Sequence, residues 1–525
     1  MLDDVLGDFL DTLGEREFDA PFMAILRRLG FYDIHFLHGA FEFGKDFIAK
    51  RQVEDIVMQY VFQSKAGNIG APEWQRVRAQ LDEARTNNIA HASFDTSLPR
   101  VVVLVTTGRL VGTAQGSSQE YTRYIKERDG EEFECWDRER IVEYMRDDPV
   151  VGLAGHGSPE LMRALVQVNE STLNLRELEK LSRPWAQDGS FEVAAVSALI
   201  IASKLRRAGR LDLACFTALS LVRAAAYRTH VDLTLTPLLD ESVRAFAAYG
   251  ADLWASCSTD LLDPDNLLDV GEFASFVAYP VRCVRTLELL SLYALLLRQQ
   301  DKSDPDLEEF IAQFAMSQPG ASRPVSDNYA VSLIPIGLIL RLQGSSLLTS
   351  WATRVVSWVA DYYDAKAKGT GLAPIDSSET MEVDYLAGFA LESVEVPHNR
   401  TSLVASAVLD LAALSEDGDL FDAAHNEFLA VDAYPEIVET EDNADQYLRD
   451  GATVMKSVND AYQEAWQPDD GWKVAPHHHR APDTYRIAAD GNYWAQLATS
   501  AVLRDRWFLG AMRHFVADAP GNQHG

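Results

Sequence analysis

Phe43-Gly44-Lys45-Asp46 and, further on, Val57-Met58-Gln59-Tyr60-Val61-Phe62-Gln63-Ser64-Lys65 are the stretches on which the fold turns. The second is rich in β-branched and aromatic residues and reads as a buried central strand. The first leads into a neighbouring strand near Asp46-Phe47-Ile48. Upstream, Phe18, Phe22, Ile25, Leu26 and Leu29 recur at helical spacing within residues 16–30, with Gly30 as a C-terminal cap. Phe31 to Leu37 reads as a strand and His38-Gly39 as the turn that follows. Downstream, Pro72-Glu73-Trp74 starts a helix that runs to about Arg85. Val101 to Thr106 is an apolar run suited to a strand covered on both faces and ends in Thr106-Thr107-Gly108. Ala114 to Glu127 is expected to be helical, and Phe133 to Trp136 a short last strand. Strands alternating with helices predict a mixed α/β domain over residues 1–150.

Beyond Pro149 the apolar residues repeat at helical spacing and no strand signal is read, so residues 151–525 are expected to form a large all-α region. Ala195 to Ala226 around Ala208-Gly209-Arg210, and Val404 to Val431 around Asp417-Gly418-Asp419, read as helical hairpins of the tetratricopeptide or solenoid kind. Breaks at 317–327 and 368–379 are candidate divisions inside this region.

Composition narrows the function. A 525-residue chain with 47% hydrophobic residues exceeds one domain and can fill sizeable cores. Its apolar runs fall short of the roughly 20 residues that span a bilayer, and Met1-Leu2-Asp3-Asp4 lacks the basic start of an export signal. Cys135, Cys215, Cys257 and Cys283 are too scattered for a disulfide framework, which points to a reducing cytoplasm. A net charge of -32, spread along the chain, excludes a surface that binds nucleic acid everywhere. Contact with DNA must then be local, assisted by cations or helped by a partner. There is no Walker loop, dinucleotide fingerprint, nucleophile elbow or helix-turn-helix.

The two opening stretches carry the chemistry. Gln63 and Lys65 stand two apart on an extended strand and share a face, with Asp46 on the strand beside them. Hydrolysing a phosphodiester needs hard oxygen ligands for a divalent cation and a positive group near the phosphate. Asp46, Gln63 and the backbone carbonyl of Ser64 are the candidate metal ligands. Lys65 would orient the attacking water or contact the scissile phosphate.

On these motifs, residues of about 15 to 146 resemble the catalytic domain of Mrr-like restriction endonucleases, in the PD-(D/E)xK superfamily. The matching parts are the helix ending in Leu29-Gly30-Phe31, the Gly44-Lys45-Asp46 acid, Gln63-Ser64-Lys65, and the strand ending in Thr-Thr-Gly. Glutamine often replaces the second acid in that family. The resemblance implies a restriction-endonuclease-like sheet flanked by helices, Mg²⁺ with Mn²⁺ as substitute, DNA as substrate, and an additional carboxylate from Glu17 or Asp19, with Glu42 a further candidate. It also implies an effector of prokaryotic restriction or anti-phage defence. A homo-oligomer would supply the two active sites of a double-strand cut, and the helical region would bind a sensor or ATPase partner. The alternatives are an inactive nuclease fold kept as a DNA-binding or scaffold protein, and a nuclease of DNA repair or mobile elements.

Other features read as structural. His477-His478-His479 sits in a Gly/Pro/Asp-rich stretch without further ligands beside it, as a solvated loop would. Trp466, Trp472, Tyr485 and Trp494 suit a helical core or a partner interface better than base stacking. Arg27-Arg28 and Arg206-Arg207 with Arg210 read as solvated helix faces.

Overall fold

The computed structural model describes residues 2–37, 45–129, 132–147, 159–186, 191–264, 275–375, 377–388, 401–415, 417–439, 454–457 and 493–504. The chain divides into two compact units, residues 1–166 with 190–200, and residues 167–189 with 201–525.

The first unit opens with helices α1 (Leu2–Thr12) and α2 (Glu15–Arg28). Strands β1 (Tyr32–Phe36), β2 (Phe47–Val53) and β3 (Ile56–Lys65) follow. Next come α3 (Ala71–Thr86), β4 (Arg100–Thr106), α4 (Thr113–Asp129), β5 (Glu132–Trp136) and α5 (Arg138–Asp147). The five strands form one sheet in the order β1-β2-β3-β4-β5. The first three are antiparallel, and β3, β4 and β5 run parallel. Alternation along the strands divides the sheet's two faces. Ile48, Val61, Val102, Leu104 and Phe133 pack under Trp74, Val77 and Leu81 of α3 and Tyr121 and Ile125 of α4. Phe47 and Phe62 meet Phe22 of α2 edge-on, with ring centroids 5.3 and 5.2 Å away. The expected strands and helices of this unit are therefore present, with β3 at the centre. Helix α1 is an addition: Leu6, Phe9 and Leu10 are buried, α1 packs on α5, and Asp11 and Asp3 pair with Arg138 and Arg146.

Helices α6 (Pro159–Asn169) and α8 (Phe191–Arg207) run across the division between units. The second unit holds α7 (Leu175–Ser182), α9 (Leu211–Val231), α10 (Thr236–Ser256), α11 (Ser275–Gln299), α12 (Pro305–Ser317), α13 (Ala330–Gln343), α14 (Ser345–Tyr363) and α15 (Glu379–Ala387). It continues with β6 (Thr401–Ser402), α16 (Leu403–Leu414), α17 (Gly418–Ala430), β7 (Tyr434–Glu439), β8 (Val454–Ser457) and α18 (Tyr493–Leu503). α13 is almost wholly buried and packs against α11, α14 and α16. At Gly337 a side chain would begin 2.6 Å from Leu411 of α16, so glycine sets that approach. Asp417 caps α17 by accepting from the Leu420 N–H at 3.0 Å. Helix breaks do fall within 317–327 and 368–379.

One expectation is corrected. Strands do occur beyond Pro149: β6, β7 and β8 form a small sheet, in which Tyr434-Pro-Glu-Ile-Val-Glu pairs antiparallel with Val454–Ser457. β6 contributes two residues and β7 packs on α16, so the pairing depends on tertiary contact more than on a long alternating run.

All four cysteines are free. Among the described residues no helix is long and apolar enough to cross a membrane. Trp494 is fully buried and donates through Nε1 to the Leu292 carbonyl at 2.6 Å, a core role. Trp466, Trp472, Tyr485 and His477 to His479 lie outside the described residues. Arg206 pairs with Asp252 and Arg210 with Asp212, all on partly or fully exposed surface.

Candidate functional site at the end of the central strand

The antiparallel register places Phe47 opposite Phe62, and the Asp46 N–H donates to the Phe62 carbonyl at 2.8 Å. Asp46 is thereby held level with the last residues of β3. Its Oδ2 accepts two hydrogen bonds, from Gln63 Nε2 at 2.6 Å and from the Ser64 N–H at 2.6 Å. The structure thus brings Asp46, Gln63 and Ser64 together. Gln63 and Ser64 are buried, and neither Gln63 Oε1 nor Ser64 Oγ has a hydrogen-bond partner among the described residues. Buried polar atoms are normally paired, so an unpaired amide oxygen beside a carboxylate marks a place where a ligand can be accommodated.

Lys65 ends the strand and donates to Glu15 Oε1 at 3.0 Å. Glu15 stands in the first turn of α2, where negative charge is also favoured by the helix dipole. It is half exposed, so the pair is worth under about 1 kcal/mol and leaves Lys65 easily released. Of the other carboxylates, Glu17 accepts from the Gly14 N–H at 2.8 Å and so closes the start of its own helix. Asp19 is half-buried on the following turn. Glu42 and Gly44 lie outside the described residues. Sequence reasoning did not single out Glu15, whose partner is 50 residues away in the chain.

The loop after Lys65 is fixed by the end of β4. Thr106 Oγ1 donates to the Gly67 carbonyl at 2.7 Å, and Thr107 Oγ1 accepts from the Gly67 N–H at 2.9 Å. A Cβ on Gly108 would lie 2.2 Å from the Gly67 carbonyl carbon, so the two segments approach too closely for any side chain there. The Thr-Thr-Gly ending of β4 is therefore a clamp that sets where Lys65 stops.

Lys45, next to Asp46, is fully buried, with its ammonium 5.9 Å from the Phe94 ring centre. Burial, and then the charge of Arg100, lowers its pKa to about 8, against an opposing pull from Glu83.

Whether these residues suit a cation can be judged from their chemistry. Among the described residues no three His, Cys, Asp or Glu side chains converge on one point. An ion here would rest on Asp46, neutral oxygens and water. That is an acceptable setting for Mg²⁺, which is bound through one or two carboxylates and keeps several waters. The unpaired Gln63 Oε1 is a suitable neutral ligand. Comparison with known protein families, characterised proteins and solved structures finds no match for this chain.

Proposed function

We propose that the first unit is a Mg²⁺-dependent DNA endonuclease of the Mrr-like, PD-(D/E)xK kind, acting in prokaryotic restriction or anti-phage defence. The observation that carries the reading is the contact of Asp46 Oδ2 with Gln63 and Ser64, with Lys65 at the end of the same strand. The second unit would control it through protein contacts, with a homo-oligomer supplying paired active sites.

Asp46, Gln63 Oε1 and the Ser64 carbonyl are the groups that would hold the metal. When bound, a divalent cation activates water and stabilises charge developing on the phosphate. The rigid β2–β3 pairing fixes the Asp46 carboxylate against the end of β3 before any ligand arrives, which limits reorganisation. Lys65 exchanges Glu15 for a phosphate oxygen or the attacking water. As water's oxygen bonds to phosphorus, the P–O bond on the opposite side breaks and the leaving oxygen takes a proton. The net charge of -32 repels DNA from most of the chain, so binding is expected to depend steeply on salt and on assembly.

The test is cleavage of supercoiled plasmid by wild type, Asp46→Ala and Lys65→Ala with Mg²⁺, Mn²⁺ or EDTA. The expected outcome is metal-dependent nicking or linearisation that falls about a hundredfold or more in each variant. A second reading, a DNA-binding scaffold without catalysis, draws on the neutrality of Gln63 and the pairing of Lys65 with Glu15. A wild type that shifts plasmid on a gel and leaves it intact in all three conditions would support that reading instead.

A further inference from the structure

The second unit contains a polar cavity of about 470 Å³, within the range of small-molecule sites. One wall is α7, on which Arg176, Lys180 and Arg183 recur at i, i+4 and i+7 and so share a face. Facing them across the cavity lining are Arg285 of α11 and Arg504 just past α18. These five cations meet three carboxylates, Glu179, Glu379 and Glu382.

The cations differ in what already holds them. Arg285 Nη1 donates to Glu288 Oε2 at 2.9 Å, and Arg504 Nη1 to Glu288 Oε1 at 2.8 Å. Lys180 pairs with Glu177 at 2.7 Å. Arg176 and Arg183 are exposed and have no ion pair among the described residues. Arg504 is 6% exposed, and its Nε has no hydrogen-bond partner. Ser377 Oγ, on the same lining, is also buried without one. Of the acids, Glu382 is already engaged by Ser326 Oγ at 2.5 Å and by Asn328 Nδ2 at 3.4 Å. Burial raises its pKa, which weakens its opposition to an incoming anion.

Guanidinium groups with unused donors, lining a cavity of this size, match the oxygens of phosphate better than any neutral ligand. We infer that this cavity binds a small phosphorylated molecule of nucleoside-diphosphate size. Its phosphate groups would lie on Arg176, Arg183 and the Nε of Arg504, and its hydroxyl-bearing part would meet Ser377, Asn328 and Glu382. The site uses second-unit residues alone and takes nothing from the endonuclease reading.

Titration calorimetry on the full chain, without DNA or divalent cation, tests this with three probes: pyrophosphate, ADP and citrate. ADP and pyrophosphate are expected to bind saturably and more tightly than citrate. The exposed double substitution Arg176→Gln/Arg183→Gln should weaken both by about tenfold or more, since each charge-assisted contact is worth 1.4 kcal/mol or above. An unchanged circular dichroism spectrum would show that this variant is folded. Binding that the double variant leaves intact, equal binding of citrate, or no binding of either phosphate probe would each overturn the assignment. ADP binding well above pyrophosphate would identify the ligand as a nucleotide, and equal affinities would identify the diphosphate group as the part recognised.

Discussion

The two units bury charge and polarity in opposite ways. In the first, the polar groups sit at strand ends: Asp46 accepts from both Gln63 and Ser64, and Gln63 Oε1 is left over. In the second, Glu288 lies 1% exposed inside a helical core with both oxygens taken, by Arg285, Arg504 and Ser332. A sheet presents its chain ends along an edge where a ligand can approach. A helix hydrogen-bonds its own backbone internally and brings charge inward only through side chains that must find partners. The first arrangement suits chemistry and the second suits a rigid framework.

Removing one partner from the closed network should have the largest effect on stability. Glu288→Ala leaves two guanidinium groups without their carboxylate, at a cost of about 3–5 kcal/mol. Hydrogen exchange is expected to accelerate in α11 and α13 while β3 and β4 keep their protection. Loss of protection in the sheet as well would abolish the contrast between the units. The reverse experiment is Gly108→Ala, whose methyl would meet the Gly67 backbone at 2.2 Å. Overpacking of that kind costs on the order of 1–3 kcal/mol, and exchange should rise at the ends of β3 and β4 with plasmid cleavage reduced.

Lys45 gives a pH-dependent version of the comparison. Its folded-state pKa of about 8 lies below the ordinary 10.5, so the unfolded chain holds the proton more tightly. Stability from this group is therefore reduced below about pH 8 and rises between 8 and 10.5. Lys45→Met should raise the urea midpoint at pH 7, with the advantage over wild type shrinking as pH increases through that window. The smallest change is expected from Glu15→Gln, under about 1 kcal/mol of stability because the ion pair is exposed. If Glu15 only parks Lys65, plasmid cleavage should be retained in this variant. A collapse of cleavage would instead place Glu15 among the groups that act on the metal or the water.

Much of the first unit was legible in local pattern. Val57 to Lys65, Val101 to Thr106 and the helix from Pro72 fall within a residue or two of β3, β4 and α3, because β-branched runs and a proline-led helix start are short-range signals. Helix α1 was not read, and its salt bridges show why: Asp11 and Asp3 meet Arg138 and Arg146, more than a hundred residues on. The strands β7 and β8 were hidden for the same reason, since each is short and is completed by the other and by α16.

For the candidate site, spacing alone put Gln63 and Lys65 on one strand and proposed Asp46 beside them. Alternation along an extended chain is local, and those three residue types are already chosen for hard-oxygen and phosphate chemistry. Three things waited for the fold: that Asp46 Oδ2 bridges Gln63 and Ser64, that Glu15 holds Lys65, and that Arg504 closes on Glu288 from 216 residues away. Each is a meeting of segments whose separation along the chain carries no periodic trace, so only burial and close packing in three dimensions could decide which partners met.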